Sequence, residues 1–388
     1  MPTFGWSVAA PDLRCNSDTT FLTQVLIALP AAGVIACGQE HDPQREHGCT
    51  AFDSVEVLVH SSAEDAFPSL IAGMTVDRRH RVYVIDHYLG IVVGFDSIGT
   101  ERWRSGGLGA GPEEVRDPLG LTLLGDTVAT FDRGNSRVSF WSTDGEPHGV
   151  HRLHIPFMPT VAGVAGSRHF WAMLIEPTRG PTLEPAPAVL VMAEFDERVR
   201  DTLARFESPG FVTVGPPGRQ QTVARPFAPF AAINGGHDVV VFSRRVSYEI
   251  IGWRLRDGGT FTITGPSRRP TPTADHIRYA RERLEGMDDH QALATLVPDS
   301  LPVVASVNLG VRGDVVVGTY WWRGGRQQWD RWSAQQQPVE SVLLPVGMGW
   351  VTVVDDTWYG ALRDSLGLQE VVRFRRPRSA PCIGPLAS

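Results

Sequence analysis

The sequence of 388 residues contains no lysine, so arginine supplies all 36 of its basic side chains. Without lysine the chain has no Walker-type phosphate loop, no Schiff-base lysine and no Ser/Lys dyad. Its formal net charge of -7 also disfavours non-specific binding to nucleic acid, because phosphate binding needs a basic surface. We therefore expect neither a P-loop nucleotide hydrolase nor a nucleic-acid-binding protein.

Cysteine and helical periodicity are scarce as well. The four cysteines, Cys15, Cys37, Cys49 and Cys382, show no CxxC pair or other zinc-ligand spacing, so we predict no metal site built from them. By contrast, the chain holds 40 glycines and 29 prolines among short apolar runs such as residues 82–85. This combination predicts an all-β protein made of short strands joined by tight turns.

The N-terminal region reads as an export signal. Residues 21–36 form an uncharged segment that is shorter than the roughly 20 apolar residues of a transmembrane helix and suits a signal h-region. The sequence VIAC at residues 34–37 resembles the lipobox of bacterial lipoproteins. That resemblance implies a signal peptide at 1–36, acylation of Cys37, a linker at 37–53 and a location in the cell envelope. A plain secretory signal and an uncleaved anchor are the alternatives.

Internal repeats set the fold. Residues 81–104 and 127–150 both read as an apolar strand, an Asp, a polar turn, a second apolar strand and an acidic residue close to Gly. Weaker copies lie at 169–200, 238–262, 314–338 and 357–375, and a short apolar strand precedes each copy. Units of this kind at a spacing of roughly 40–50 residues predict a six-bladed β-propeller.

The ends of the chain should close the ring. Residues 54–60 have no other partner and are expected to add a strand to the last blade, which removes an exposed sheet edge. We therefore place the propeller at 54–376 and a tail at 377–388, with a helical insert at 273–296 between blades four and five, where apolar residues recur at helical spacing. Closure would bring Cys49 near Cys382, either as a disulfide or as two free thiols.

Two motifs carry a resemblance to a known family. Residues 106–118 (GGLGAGPEEVRDP) and residues 132–138 (DRGNSRV) resemble the loops and turns of NHL-type propellers. The opening DSVEV and the closing RDSLGLQEVVRFR resemble exported six-bladed propeller lipoproteins of bacteria, related in fold to NHL-like and TolB-like propellers. The resemblance implies that the Asp after the second strand of a blade, Asp86 or Asp132, ties down neighbouring backbone N–H groups.

The propeller geometry predicts where a ligand would bind. In each blade, the turn between the second and third strands and the connection to the next blade emerge on the same face, here called the loop face. The candidates on the loop face are His87, Tyr88, Arg133, Asn135, Arg244, Arg245, Trp321, Trp322, Arg323 and Arg363. Arginine and aromatic side chains favour an anionic or carbohydrate-like ligand through bidentate hydrogen bonds and stacking. The alternative is that these arginines only bond neighbouring carbonyl groups.

Two functional hypotheses follow. The first is a non-catalytic, lipid-anchored propeller, monomeric and without a cofactor, that binds a glycan, a peptide or an envelope protein on its loop face. The second is a lactonase-like hydrolase or lyase with a divalent cation, such as Ca²⁺, in the central channel. The many arginines of the loop-face turns would repel a cation, which favours the first hypothesis.

Overall fold

The computed structural model describes residues 49–60, 67–153, 159–175, 186–195, 199–208, 211–214, 221–228, 231–284, 296–363, 369–380 and 384. Within these residues the protein is almost entirely β-structure. No helix in this part of the chain is long and apolar enough to cross a membrane.

Six four-stranded antiparallel blades follow one another along the chain, which confirms the predicted six-bladed propeller. Blade 1 consists of β2 (Ile71–Val76), β3 (Val82–Asp86), β4 (Ile91–Phe95) and β5 (Glu101–Gly106), and blade 2 of β6 (Pro118–Leu124), β7 (Thr127–Asp132), β8 (Arg137–Ser142) and β9 (Pro147–Arg152). Blade 3 consists of β10 (Val161–Ala165), β11 (His169–Ile175), β12 (Pro187–Glu194) and β13 (Val199–Glu207), and blade 4 of β16 (Ala232–Gly235), β17 (Val239–Ser243), β18 (Glu249–Arg254) and β19 (Thr260–Thr264). Blade 5 consists of β20 (Val304–Leu309), β21 (Val315–Arg323), β22 (Arg326–Trp332) and β23 (Pro338–Pro345). Blade 6 consists of β24 (Gly349–Val354), β25 (Thr357–Arg363), β26 (Gln369–Ala380) and β1 (Cys49–Val59).

The hydrophobic core lies between the blades. The second and third strands read as nearly continuous apolar runs because both of their faces are covered, as in the fully buried Val82–Asp86. One buried cluster spans each of the six junctions between neighbouring blades, including the junction between blade 6 and blade 1. The ring is therefore closed by packing as well as by hydrogen bonds.

Strand β1 supplies the outer strand of the last blade, as the sequence predicts. It pairs antiparallel with β26 along most of its length, from Cys49 opposite Ala380 to Val59 opposite Val371. It also pairs in parallel with β23 at Thr50 and Ala51, so blades 5 and 6 share one eight-stranded sheet. The blade thus extends to Cys49 and Ala380, beyond the predicted limits of 54–376, because both end segments continue the same ladder.

Two elements lie outside the six blades: a helix and a two-stranded hairpin. The predicted insert between blades 4 and 5 contains the helix α1 (Ala274–Arg283), which begins after an N-cap at Thr273. A two-stranded hairpin, β14 (Phe211–Val214) and β15 (Gln221–Ala224), lies between blades 3 and 4 along the chain and was not predicted. Cys49 is disulfide-bonded, whereas Cys382 and the expected acylation site Cys37 lie outside the described residues.

Candidate functional site: the central channel and the loop face

A central channel of about 910 Å³ runs along the first strands of the blades. Each blade contributes its innermost strand, so the wall is built from β2, β6, β10, β16, β20 and β24. The six residues of β2 alone span about 20 Å at 3.3 Å per residue. The volume lies within the usual range for small-molecule pockets.

The two ends of the channel differ in chemistry. The end formed by the turns between the first and second strands, here called the turn mouth, is charged. Its charged and titratable lining residues are Asp77, Arg78, Arg79, Arg81, Asp126, His237, Asp238 and Arg312. Arg81 Nε bonds Asp77 Oδ2 at 2.6 Å, and Arg312 pairs with Asp355. Although burial alone would lower the pKa of Arg81, its carboxylate partners raise it overall. Cations and anions are nearly balanced, so this mouth does not select a ligand by charge.

Just inside the turn mouth, the wall carries uncharged polar side chains. Thr75, Asn234 and Asn308 each lie one residue before the end of their first strand and all line the channel. The amide Nδ2 of Asn234 donates to Oδ1 of Asn308 across the junction of blades 4 and 5, at 3.1 Å. The indole of Trp171 also reaches the wall and is 5% exposed. The rest of the wall is mainly apolar and includes Ala72, Leu121, Ala162, Ile233 and Leu309.

At the opposite end, the channel opens on the loop face beside His87. This is the one predicted site residue that lines the channel. Its Nδ1 lies 3.9 Å from Oδ1 of Asp117, and this buried oxygen has no hydrogen-bond partner in the described chain. The neighbouring Tyr88 is 61% exposed and meets the His87 ring edge-on at 5.1 Å.

Four of the predicted loop-face residues have engaged or buried side chains. Arg133 Nε bonds Asp117 at 2.6 Å, and Asn135 Nδ2 bonds both the carbonyl of Gly109 and Asp132. Trp321 and Trp322 are 5% and 4% exposed. Their indoles therefore belong to the core, which corrects the expectation that they face a ligand.

Side chains of α1 and the side chain of Phe227 cover the end of β21 and bury Trp322. His276 of α1 stacks on Trp322 with ring centres 4.4 Å apart, and Phe227 meets the same ring at 6.0 Å. His276 Nε2 bonds the carbonyl of Tyr320 at 3.0 Å. Burial lowers the pKa of His276 to about 4, so this histidine is neutral at neutral pH and serves packing.

The other predicted arginines are more exposed to solvent. Arg244, Arg323 and Arg363 are exposed, and Arg245 is half-buried. The Nε of Arg245 is buried and has no hydrogen-bond partner in the described chain. Arg245 is therefore a half-buried cation whose Nε has no acceptor in the described chain.

The acidic residues that follow the second strands have the structural role that the resemblance implies. The Asp86 carboxylate accepts N–H groups of Leu70, Tyr88 and Leu89. Asp132 accepts the N–H groups of Arg116 and Asp117, and its second oxygen pairs with the buried Arg137. Both carboxylates thus fix turns and connections of the loop face.

The lactonase-like hypothesis requires oxygen ligands for a cation in the channel. The side chains deep in the wall offer amides and hydroxyls, while the carboxylates of the lining lie at the turn mouth, where Asp77 pairs with Arg81 and Asp238 lies beside His237. Among the residues that the structure describes, no group of three or more His, Cys, Asp or Glu is placed to hold a metal ion. The described lining does not fit a divalent cation, and we derive no chemistry through one.

Comparison with known proteins finds similar structures but no related sequence family. No family model and no curated sequence matches the chain. Among solved structures, a Bacteroides fragilis protein named provisionally as exported is 12% identical with a TM-score of 0.49, and a DUF4221 member from Bacteroides vulgatus is 9% identical with a TM-score of 0.46. The alignments cover 84% of this chain in both cases, and 95% and 99% of those chains.

An enzyme is also among the similar structures. Virginiamycin B lyase from Staphylococcus aureus is 11% identical with a TM-score of 0.40, over 83% of this chain and 99% of that one. The six-bladed propeller that the resemblance implies is confirmed by the blades of the structure itself. A fold does not determine a function, so the propeller does not choose between the two hypotheses.

Sequence reasoning missed the residues of the channel wall. Asn234 and Asn308 are 74 positions apart and lie in short strands whose neighbours are apolar. A polar amide at the same position in two first strands is the signal that could have found them. Trp171 gave no such signal, because a tryptophan in an apolar strand reads as core.

Proposed function

We propose that this protein is a non-catalytic, exported propeller that binds an anionic ligand on its loop face and is tethered to the cell envelope through an acylated Cys37. The observation that carries the binding proposal is the buried Nε of Arg245, which has no hydrogen-bond partner in the described chain. The support for export and tethering is the uncharged segment 21–36 and the lipobox-like residues 34–37.

The backbone of Arg245 is fixed in an unusual conformation. Its φ angle is 63°, in the left-handed region that few residues other than glycine adopt. Its carbonyl accepts the N–H groups of Val303 and Val304 at 2.8 and 3.2 Å, and its own N–H donates to Ser243 Oγ. Strain that the surroundings hold in place in this way is typical of functional positions.

The buried Nε of Arg245 lacks an acceptor in the described chain. A buried donor without a partner costs about 1–3 kcal/mol, and more when the group is charged. A carboxylate or sulfate of a ligand would supply a bidentate acceptor. Arg244 next to it is exposed and adds a second cation to the same turn. The proposed ligand is therefore an acidic polysaccharide of the envelope.

The binding test uses purified protein and an oligogalacturonate, with a neutral maltooligosaccharide of equal length as the control ligand. Arg245→Asn keeps a residue that tolerates the left-handed region, and we expect it to weaken oligogalacturonate binding about 10- to 100-fold. Arg256→Ala removes an arginine of the same blade that is 85% exposed and pairs with Asp238, and it should bind like the wild type.

Equal binding of the neutral and acidic sugars would contradict the proposal, as would unchanged affinity of Arg245→Asn. A parallel titration with poly-glutamate distinguishes a carboxylate of a peptide from a carboxylate of a glycan. Tighter binding of poly-glutamate than of oligogalacturonate would identify an acidic peptide instead of a glycan.

The tether has its own test. Mass spectrometry of membrane fractions should find a chain that begins with an acylated Cys37. Recovery of the intact segment Met1–Ala36 on the mature protein would refute this part of the proposal and leave the binding site untouched.

A further inference from the structure

We infer that the central channel is a second binding site, separate from the loop face, for an uncharged molecule that presents an amide N–H and C=O side by side on an apolar body. The juxtaposition that carries this inference is the amide pair Asn234 and Asn308 inside an otherwise largely apolar wall.

The amide pair leaves both donors and acceptors free. Asn234 Nδ2 donates one N–H to Asn308 Oδ1, so Asn234 Oδ1 remains as an acceptor and the NH2 group of Asn308 remains as a donor. Exchanging the oxygen and nitrogen of both amides would again leave groups of both kinds. Whichever way the amides point, the pair therefore matches a partner that offers a donor and an acceptor next to each other.

Trp171 adds apolar surface to the wall. Its Nε1 is buried and has no hydrogen-bond partner in the described chain. The indole lies against Gly163 and Gly235, and a Cβ on Gly235 would come within 2.2 Å of Nε1. Two glycines thus make room for this ring between blades 3 and 4, and the ring itself lines the channel.

The class of ligand follows from the wall. The charged lining residues lie in the turns of the turn mouth, apart from His87 at the other end, and the wall between them is uncharged. An ion would lose its hydration there without gaining a counter-charge. A lactam or another cis-amide would satisfy the free amide groups, while its apolar part packs on side chains such as Leu121 and Ile233.

The test is calorimetric titration with cyclo(Gly-Phe), a neutral diketopiperazine that carries two cis-amide edges and one apolar ring. The N,N′-dimethyl form of the same molecule keeps its shape and loses both N–H donors. We expect saturable binding of cyclo(Gly-Phe) and affinity lower by about tenfold or more for the dimethyl form, the effect of losing one or two hydrogen bonds.

Variants locate the site. Asn234→Leu/Asn308→Leu replaces both amides by residues of similar volume and should reduce binding of cyclo(Gly-Phe) to the level of the dimethyl form. Thr352→Val is the matched control, because the hydroxyl of this channel residue already donates its hydrogen to the carbonyl of Leu309 at 3.1 Å and has no donor left for a ligand. It should bind like the wild type.

Three results would overturn the inference: no saturable binding of cyclo(Gly-Phe), equal affinity for the two diketopiperazines, or undiminished binding by the folded double variant. The comparison of the two diketopiperazines uses wild-type protein, so it decides the question even if the double variant does not fold. Since Arg245 takes no part, Arg245→Asn should bind cyclo(Gly-Phe) normally, which keeps this outcome distinct from that of the loop-face proposal.

Discussion

Arg137 offers a quantitative test of how the loop face is held together. Its guanidinium is 5% exposed and pairs with Asp132, which is fully buried, through Nε and Oδ2 at 3.1 Å. Its Nη2 also donates to the carbonyls of Gly111 and Glu114 in the connection between blades 1 and 2. Arg137→Ala removes all three contacts and leaves Asp132 without its cation.

The expected loss of stability is about 3 kcal/mol. Removing one partner of a buried ion pair typically costs about 3–5 kcal/mol, because the other charge stays buried. The lower end applies here, since Asp132 keeps hydrogen bonds from the backbone of Arg116 and Asp117 and from Asn135 Nδ2 at 2.7 Å. The freed carbonyls belong to a surface loop, where water can replace the guanidinium.

The assay is urea unfolding followed by tryptophan fluorescence, with equal m-values required for the comparison. Arg102→Ala is the control, because Arg102 is 66% exposed and lies 3.9 Å from Asp96, so its loss should cost less than about 1 kcal/mol. If Arg137→Ala and Arg102→Ala lose the same small amount, the reasoning from burial is refuted.

Three further predictions concern charged groups elsewhere. Burial raises the pKa of Asp330, so its stabilising contribution is full below the unfolded value of 3.8 and is lost as the pH rises. The wild type should therefore lose stability relative to Asp330→Asn as the pH rises above 3.8, which urea titrations at a series of pH values would show. The lowered pKa of His276 has the opposite effect, because the unfolded chain takes up a proton first, and stability is lost as the pH falls from 6.5 towards about 4. His276→Phe should reduce this loss of stability at acidic pH. An unchanged loss would contradict the lowered pKa of His276 as its cause. Glu56 pairs with Arg373 and Arg375 across the closing strands, so Glu56→Gln should cost about 1 kcal/mol or less and remove part of the salt dependence of unfolding, as thermal melts at low and high salt would show.

The fold was predictable because each blade repeats a local pattern. The apolar strands and the turns with Asp and Gly recur along the chain, so the number of blades can be read without knowing how they pack. The closing strand was predictable for a different reason: residues 54–60 form a strand with no local partner. The hairpin Phe211–Val214 and Gln221–Ala224 breaks the repeat and was missed, since nothing in the neighbouring blades matches it.

The candidate sites were predictable only in part. A residue at the end of a strand was assumed to face solvent, which holds for Tyr88 and Arg244. It fails for Trp322, because α1 and Phe227 cover the end of β21. The channel was not predicted for a related reason: its wall gathers residues from six separate strands, and no local pattern marks them. The hydrogen bond between Asn234 and Asn308 exists only once blades 4 and 5 pack against each other.

The double pairing of β1 also fixes the order in which the ring can assemble. Glu56 and Arg373 are 317 positions apart, and contacts at such separation form late because a long loop must close first. Until β1 arrives, the edges of both β23 and β26 are open to strands of other chains. The propeller cannot be completed before its final blade has been synthesised, so a chain that is exported while it grows would acquire its last blade only on the far side of the membrane.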